Sequence, residues 1–217
     1  MGRLSDILRK GTGASGPPVA VCFLGLGNPG EEYANTRHNI GWMLLDAWAK
    51  ARGLDPVYRK QGPALCSAAD TAHGAVLLVK PNTFMNRSGQ AATYIRRHFA
   101  PQRLLVLADD MDLPLGRFKL TNTGGAGTHN GLRSVVAELN SKDFDRLKIG
   151  IGPSGETRGR EFVLDRFSED EKPEIDELLT GGVHWLNLYL ARGLEVATQE
   201  LQRVQRGRRL PPERRLE

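Results

Sequence analysis

The sequence has few cysteines, no long hydrophobic run and no secretory signal. Two cysteines occur among its 217 residues, too few for a disulfide framework, so we expect free thiols in a reducing compartment. The longest apolar stretch, around Val19–Leu26, spans about eight residues, against the roughly 20 that a membrane-spanning helix requires. The first ten residues carry charges but no apolar segment of the kind that a signal peptide needs. We therefore expect a cytoplasmic protein without a membrane partner.

Several catalytic motifs are also missing. The chain contains no G-x-S-x-G elbow, G-x-x-x-x-G-K-[ST] loop, H-E-x-x-H pair or C-x-x-C, so we expect neither a metal nor a cofactor. Gly25–Gly30 formally matches the G-x-G-x-x-G dinucleotide pattern after an apolar run. However, Pro29 makes a turn where that pattern needs a helix, and Asp46, the acid at the right distance, falls inside a helix. The pattern therefore gives only weak support to a nicotinamide-dependent enzyme.

Positive charge is concentrated at the two ends of the chain. The net charge is +5, and residues 203–217 alone hold six arginines against two glutamates. Gly11–Pro18 is rich in residues that break secondary structure. We divide the chain into a flexible N-terminal extension, residues 1–18, a single domain, residues 19–203, and a basic C-terminal tail, residues 204–217. A basic tail can bind phosphates, and a solvated terminus is equally compatible with this charge.

The apolar patterns predict an α/β fold, a single domain with a central mixed twisted sheet flanked by helices. The strands are expected at Val19–Leu26, Ala64–Ala69, Ala75–Lys80, Leu104–Ala108, Arg117–Leu120 and Leu147–Ile151. The helices are expected from about Ile40 to Gly53 and at Ser88–His98, Gly131–Leu139, Ser168–Leu179 and Val183–Arg203. Thr36 or Asn39 is expected to cap the first helix, and Ser168 with Glu171 forms a capping-box pattern.

Polar side chains gather at the predicted ends of these elements. They are Asn28, Tyr33, His38, Asn39, Asn86, Asp109, Asp112, His129 and Asn130. Any one of them could simply stabilise a loop. Together, the asparagines, a histidine and a carboxylate after a buried strand predict a site rich in neutral hydrogen-bonding groups and poor in nucleophiles.

Four segments, in this order, resemble a known family: GLGNPGEEYANTRHNIGW, KPNTFMNRSG, ADDMDLPLGRFKL and GAGTHNGLRS. Together they are similar to the bacterial peptidyl-tRNA hydrolase family over approximately Val19 to Arg203. The family cleaves the ester that joins a peptide to the 3′-terminal ribose of tRNA, and so recycles tRNA from aborted translation. The resemblance implies a carboxylic ester hydrolase that acts on the acceptor end of peptidyl-tRNA. We expect a monomer without an obligate protein partner.

The resemblance also implies roles for individual residues. His38 matches the general base that takes a proton from water, and Asp109 matches the carboxylate that orients it. Asn28 matches the residue that distinguishes N-blocked peptidyl substrates from free aminoacyl-tRNA. Asn86 matches the residue that holds the substrate near the scissile carbonyl, which makes it our candidate oxyanion donor. The residues expected to bind tRNA are Tyr33, Phe84, Met85, Asn86, Asn130, Lys119 and Lys148.

Four features depart from the family pattern, and one of them is the N-terminal extension Met1–Pro18, which is not part of the family core. Lys148, the second member of a cationic pair with Lys119, stands where arginine is common and lacks its bidentate fork. Thr128 replaces a usual glycine, and Thr121–Thr123 occupies a stretch that often carries a lysine or a further glycine.

The alternative hypothesis is a non-catalytic RNA-binding protein on the same fold, similar to chloroplast group II intron splicing factors. The complete set of His38, Asp109, Asn28 and Asn86 favours catalysis.

Overall fold

A seven-stranded mixed sheet forms the centre of the protein. The structure is a computed structural model, which describes residue 8, residues 18–152 and residues 159–207. The strands are β1 (Val19–Gly25), β2 (Arg59–Gln61), β3 (Ala64–Thr71), β4 (Gly74–Pro81), β5 (Arg103–Pro114), β6 (Phe118–Thr121) and β7 (Asp145–Gly152). Their spatial order is β2-β3-β4-β1-β5-β7-β6. β1 is parallel to β4 and β5, and β5 is parallel to β7, whereas the other three pairs are antiparallel. The predicted fold class is confirmed.

Helices cover both faces of this sheet. Those lying wholly within the described residues are α1 (Ile40–Lys50), α2 (Ser88–Phe99), α3 (Asn130–Leu139), α4 (Arg160–Leu164) and α5 (Lys172–Gly207). Alternation along β1 shows how the two layers form, because Val21 and Phe23 pack with α1 and α5, whereas Cys22 and Leu24 pack with α2 and α3. A central strand that is apolar on both faces is therefore buried on both.

The predicted break between Leu179 and Val183 is wrong, because the chain is helical through both residues. Gly182 is helical and lets α1 approach closely, since a Cβ there would lie 2.6 Å from the Leu44 side chain. The interruption comes instead at Gly193, whose φ of 78° kinks the helix. The helix also continues to Gly207, four residues past its predicted end at Arg203.

The C-terminal end of α5 is fastened to the edge strand β6. The Gln205 side chain accepts from Phe118 N at 2.8 Å and donates to Phe118 O at 2.8 Å, as a neighbouring strand would. The division of the chain at residues 18 and 203 stays a prediction, since residues 1–7, 9–17 and 208–217 lie outside the described part.

β2 was not predicted, because it is a short polar edge strand with no buried residue. Both cysteines are buried free thiols, as expected, and burial raises the pKa of Cys66 to about 12. Thiols of this kind stay protonated and are poor nucleophiles. In the described part of the chain, no helix combines the length and the apolar character needed to cross a membrane.

The glycines of the dinucleotide-like turn serve packing. A Cβ on Gly25 would lie 2.6 Å from the backbone oxygen of Gly41, and a Cβ on Gly27 would lie 2.7 Å from the Trp42 ring. Both glycines therefore allow α1 to approach the end of β1. Asp46, the acid considered for a ribose, is bonded instead by Lys80 Nζ at 2.7 Å. These contacts explain the pattern without a dinucleotide.

Candidate active site

A cavity of about 900 Å³ lies at the carboxyl ends of β1 and β4 and beside the second half of β5, which continues past its predicted end at Ala108 to Pro114. This is the edge at which open α/β sheets place their ligands. Its wall contains every predicted site residue except Lys119, namely Asn28, Tyr33, His38, Phe84, Met85, Asn86, Asp109, Asn130 and Lys148. The fold thus gathers residues that lie up to 120 positions apart into one concave surface.

Two imidazoles share one carboxylate oxygen at the centre of the cavity. His38 Nδ1 lies 2.8 Å from Asp109 Oδ1, and His129 Nε2 lies 3.0 Å from the same oxygen. The Asp109 side chain is only 2% exposed. Burial alone would raise the pKa of Asp109, but interactions with His129 and then His38 outweigh it and hold that pKa well below its usual range. This role of His129 was not predicted from the sequence.

The hydrogen bonds assign a tautomer to each ring. His129 Nδ1 accepts from the backbone N–H of Leu132 at 3.2 Å, so Nε2 carries the hydrogen and donates it to Asp109. An ionised Asp109 can only accept, so His38 donates from Nδ1. Its Nε2 is consequently unprotonated in the neutral ring and can act as a base at the cavity surface.

The same three side chains have the spacing of a metal site. Within the described ranges, candidate ligand atoms of His38, Asp109 and His129 all lie within 4.8 Å of one another. However, both ring nitrogens that face the carboxylate carry hydrogens, and a metal at this point would have to displace both. Hydrogen bonding therefore accounts for the cluster, and the expectation of a metal-free site stays a prediction.

Asn28 is held on three sides. Asn39 Oδ1 accepts from Asn28 N at 2.8 Å, and Asn39 Nδ2 donates to Asn28 O at 2.9 Å. Asn28 Oδ1 accepts in turn from Met85 N at 2.8 Å. The amide is therefore oriented, and Nδ2 is the group with which Asn28 can meet a ligand.

Asn39 has a different role from the predicted helix cap. It stands at the N-cap of α1, but its side chain makes no capping hydrogen bond. The residue is fully buried and is bonded to the Asn28 backbone instead. Thr36 does not cap α1 either, because its hydroxyl donates to Tyr33 O at 2.9 Å.

The outer wall of the cavity is more open. Asn86 and Asn130 are exposed, each at the start of a helical segment, and Phe84 is 58% exposed. Tyr33 meets Phe84 edge to face with ring centroids 6.4 Å apart. An exposed aromatic ring beside amide groups is a surface on which a base or ribose can stack.

The predicted cationic pair is only partly in the cavity. Lys148 lines the wall, and its Nζ donates to Asp110 Oδ2 at 2.9 Å. Lys119 lies outside the wall on β6, where it is exposed and directly opposite Lys148 in the strand register. Opposed residues in an antiparallel pair point to the same face. The two lysines therefore lie side by side at the rim.

The neighbour of His38 ties this turn to α5. The Arg37 guanidinium donates to both carboxylate oxygens of Glu171, at 2.9 and 2.8 Å, and stacks between the rings of Phe162 and Phe167. Glu171 also accepts from Ser168 N at 2.7 Å, as the capping-box pattern predicted. The turn that carries His38 is therefore braced by the start of the C-terminal helix.

We expect Glu171→Gln to lower the free energy of unfolding by about 2 kcal/mol, and the melting temperature by about 6 °C. Burial opposes ionisation of Glu171, but Arg37 and Ser168 outweigh it and hold the pKa of that carboxyl below its usual value. A lowered folded-state pKa stabilises the fold above the unfolded value of about 4.3, and this gain is lost as the pH falls. Thermal unfolding between pH 3 and 8 should therefore show the largest difference from wild type at neutral pH.

Glu169→Gln is the matched control, because the Glu169–Lys172 pair in the same turn is largely exposed. It should change stability by less than about 0.5 kcal/mol. Equal losses in the two variants would mean that the Arg37 contact adds nothing.

The family departures affect the rim. Thr128 lines the cavity, and the Thr121–Thr123 turn bonds within itself, since Thr123 N donates to Thr121 Oγ1 at 3.0 Å. On the opposite side, Gly159, Val163 and Leu164 contribute to the wall.

An imidazole oriented by a buried carboxylate, facing a cavity with amide donors, is the arrangement of a hydrolase that activates water against a carbonyl carbon. The family model described as Peptidyl-tRNA hydrolase matches residues 22–209. A peptidyl-tRNA hydrolase of Oleidesulfovibrio alaskensis is 43% identical over 194 residues, which are 82% of this chain and 93% of that protein. The chain belongs to the peptidyl-tRNA hydrolase family, and the resemblance of its four motifs is confirmed.

Further comparisons agree. A peptidyl-tRNA hydrolase of Desulfitobacterium hafniense is 42% identical over 172 residues, covering 78% of this chain and 92% of that protein. The crystal structure of peptidyl-tRNA hydrolase from Acinetobacter baumannii has a TM-score of 0.74 at 29% identity, covering 87% of this chain and 97% of that one.

Proposed function

We propose that this chain hydrolyses the ester between the peptide and the 3′-terminal ribose of peptidyl-tRNA, with His38 as general base and without a metal or cofactor. The observation that carries the proposal is the 2.8 Å contact of His38 Nδ1 with Asp109, which leaves Nε2 of His38 as the base. The protein acts as a monomer in the cytoplasm, where it recycles tRNA from aborted translation.

The reaction proceeds by direct attack of water. His38 Nε2 takes a proton from a water molecule as its oxygen bonds to the ester carbonyl carbon, forming a tetrahedral intermediate. The intermediate collapses with cleavage of the bond to the ribose 3′-oxygen, and the imidazolium returns the proton to that oxygen. Asp109 stabilises the transient positive charge on the ring. An ester is labile enough that no covalent nucleophile is required.

Two asparagines hold the acyl part of the substrate. The oriented Nδ2 of Asn28 donates to a carbonyl oxygen of the peptide, which favours an N-blocked substrate over one with a charged free amine. Asn86, at the open side of the cavity, donates to the oxygen that becomes negative during the attack. Hydrogen bonds that strengthen as this charge develops lower the barrier.

The tRNA part occupies the rim. Phe84 and Tyr33 stack on the terminal nucleotide, with Met85 and Asn130 beside them. Lys119 and Lys148 lie further out and bind a phosphate of the acceptor end.

The test is release of free tRNA from N-acetyl-aminoacyl-tRNA by the purified protein. We expect turnover to persist in EDTA, since the proposed mechanism needs no metal. We expect unblocked aminoacyl-tRNA to be spared, since Asn28 favours an N-blocked substrate over a charged free amine. Loss of activity in EDTA would contradict the metal-free mechanism. Tight tRNA binding with no turnover would contradict the enzyme and favour the RNA-binding alternative.

A further inference from the structure

An acidic side chain, Asp110, contacts one of the two lysines that are proposed to bind a phosphate. Asp110 Oδ2 accepts from Lys148 Nζ at 2.9 Å, and the two side chains are only 12% and 22% exposed. Both line the cavity, and Lys119 lies directly opposite Lys148 on the neighbouring strand. A phosphate that reaches Lys148 therefore meets a cation that is already paired.

Asp110 is fixed by the backbone rather than by the lysine. Its other oxygen, Oδ1, accepts from Asp112 N at 2.9 Å, and Asp110 itself lies in β5 opposite Gly150 of β7. Lys148 carries its ammonium on a four-carbon stem with several rotatable bonds. The lysine can therefore leave the carboxylate while the carboxylate stays in place.

In the free protein, Asp110 also reduces the repulsion between Lys119 and Lys148. Like charges directly opposite in an antiparallel pair repel each other. Lys119 and Lys148 are such a pair, and Asp110 neutralises the less exposed of the two. The carboxylate keeps two cations together when no RNA is present.

We propose that Asp110 is a built-in counter-ion that binds Lys148 in the free protein and is displaced by a tRNA phosphate, so that Asp110 limits the affinity for tRNA. The inference rests on the proposed function, since it requires that Lys148 bind a tRNA phosphate. Deacylated tRNA is the product and keeps its phosphates, so the carboxylate weakens binding of the product as well and favours its release.

Binding of deacylated tRNA by the full chain tests this exchange. Asp110→Asn is expected to tighten the Kd about fivefold at 0.15 M salt, the upper range for a partly exposed ion pair. Because one more cation is then free to displace counterions, the slope of log Kd against log salt should steepen by about 0.9. Asp110→Ser, which can still accept from Asp112 N, is the second variant and should change both quantities in the same direction.

A remote charge provides the control. Asp55→Asn makes the same change in net charge just before β2, the edge strand that lies four strand spacings from β5, or about 19 Å at about 4.8 Å for each spacing. At 0.15 M salt this exceeds the Debye length of about 8 Å. We expect it to change the Kd by less than about twofold.

Lys148→Met separates exchange from general repulsion. Without the lysine no phosphate is drawn to this position, so Asp110→Asn should then tighten binding by less than about twofold at 0.15 M salt. An equal gain in both backgrounds, or weaker binding by Asp110→Asn alone, would overturn the inference. If peptidyl-tRNA is hydrolysed but Asp110→Asn leaves the Kd unchanged, only this inference fails. A wild-type protein that neither binds tRNA nor hydrolyses the ester would overturn the proposed function as well.

Discussion

His38→Ala is expected to reduce turnover of N-acetyl-aminoacyl-tRNA about 10³-fold, because alanine removes the group that takes the proton from water. The side chain is 11% exposed, and its one hydrogen-bonding partner in the described structure is Asp109, so we expect the fold to persist. Single-turnover hydrolysis measures the chemical step directly. Binding of deacylated tRNA should stay within about twofold of wild type, since the ring is not part of the proposed phosphate site.

His73→Ala is the control for loss of an imidazole. His73 is exposed in the turn between β3 and β4, at a distance from the cavity wall. Its substitution should leave turnover unchanged. If His38→Ala kept more than about a tenth of the wild-type rate, another group would have to be the base.

The sheet and most helices were predictable because their apolar patterns are local. The inner stripe of α2, for example, follows from alanine, isoleucine and phenylalanine at helical spacing, and Ile95 and Phe99 are indeed buried. The division of α5 was not predictable in this way. Gly181 and Gly182 favour a break locally, but both are helical in α5, where Gly182 packs against the Leu44 side chain of α1.

The membership of the site was predictable from motifs, whereas its hydrogen bonds were not. Asn39 has the sequence position of a helix cap, and only the return of the chain to Asn28 shows that it orients another asparagine. His129 directly precedes a helix, and this position indicates that its ring can accept a hydrogen bond from a backbone N–H of the first helical turn. That it also reaches Asp109 depends on a glycine-containing loop whose path the sequence does not specify.

The shared carboxylate has a consequence for catalysis that two separate pairs would not have. Both rings donate to Asp109 Oδ1, so one atom fixes the tautomer of His38 and the position of His129. The pKa of Asp109 is held well below its usual range, against the effect of burial, by His129 and His38. The carboxylate therefore remains ionised throughout the pH range in which the enzyme would work.

Asp109→Asn is expected to reduce turnover about 10²- to 10³-fold, no more than His38→Ala, because a carboxylate that acts through His38 cannot contribute more than His38 itself. The asparagine amide keeps the shape of the side chain but cannot stabilise the imidazolium, and its Nδ2 can turn the His38 ring towards the wrong tautomer. Rates measured from pH 5 to 9 should stay low at every pH, because the lost charge is not a group that titrates there.

The double variant His38→Ala/Asp109→Asn tests whether the two residues act as a unit. If Asp109 acts through His38, the double variant should be no slower than His38→Ala alone, since the carboxylate has no base left to orient. Losses that multiply would mean that Asp109 acts on the substrate independently. The matched measurement is tRNA binding, which should be retained in all three variants because the rim residues and both lysines are unchanged.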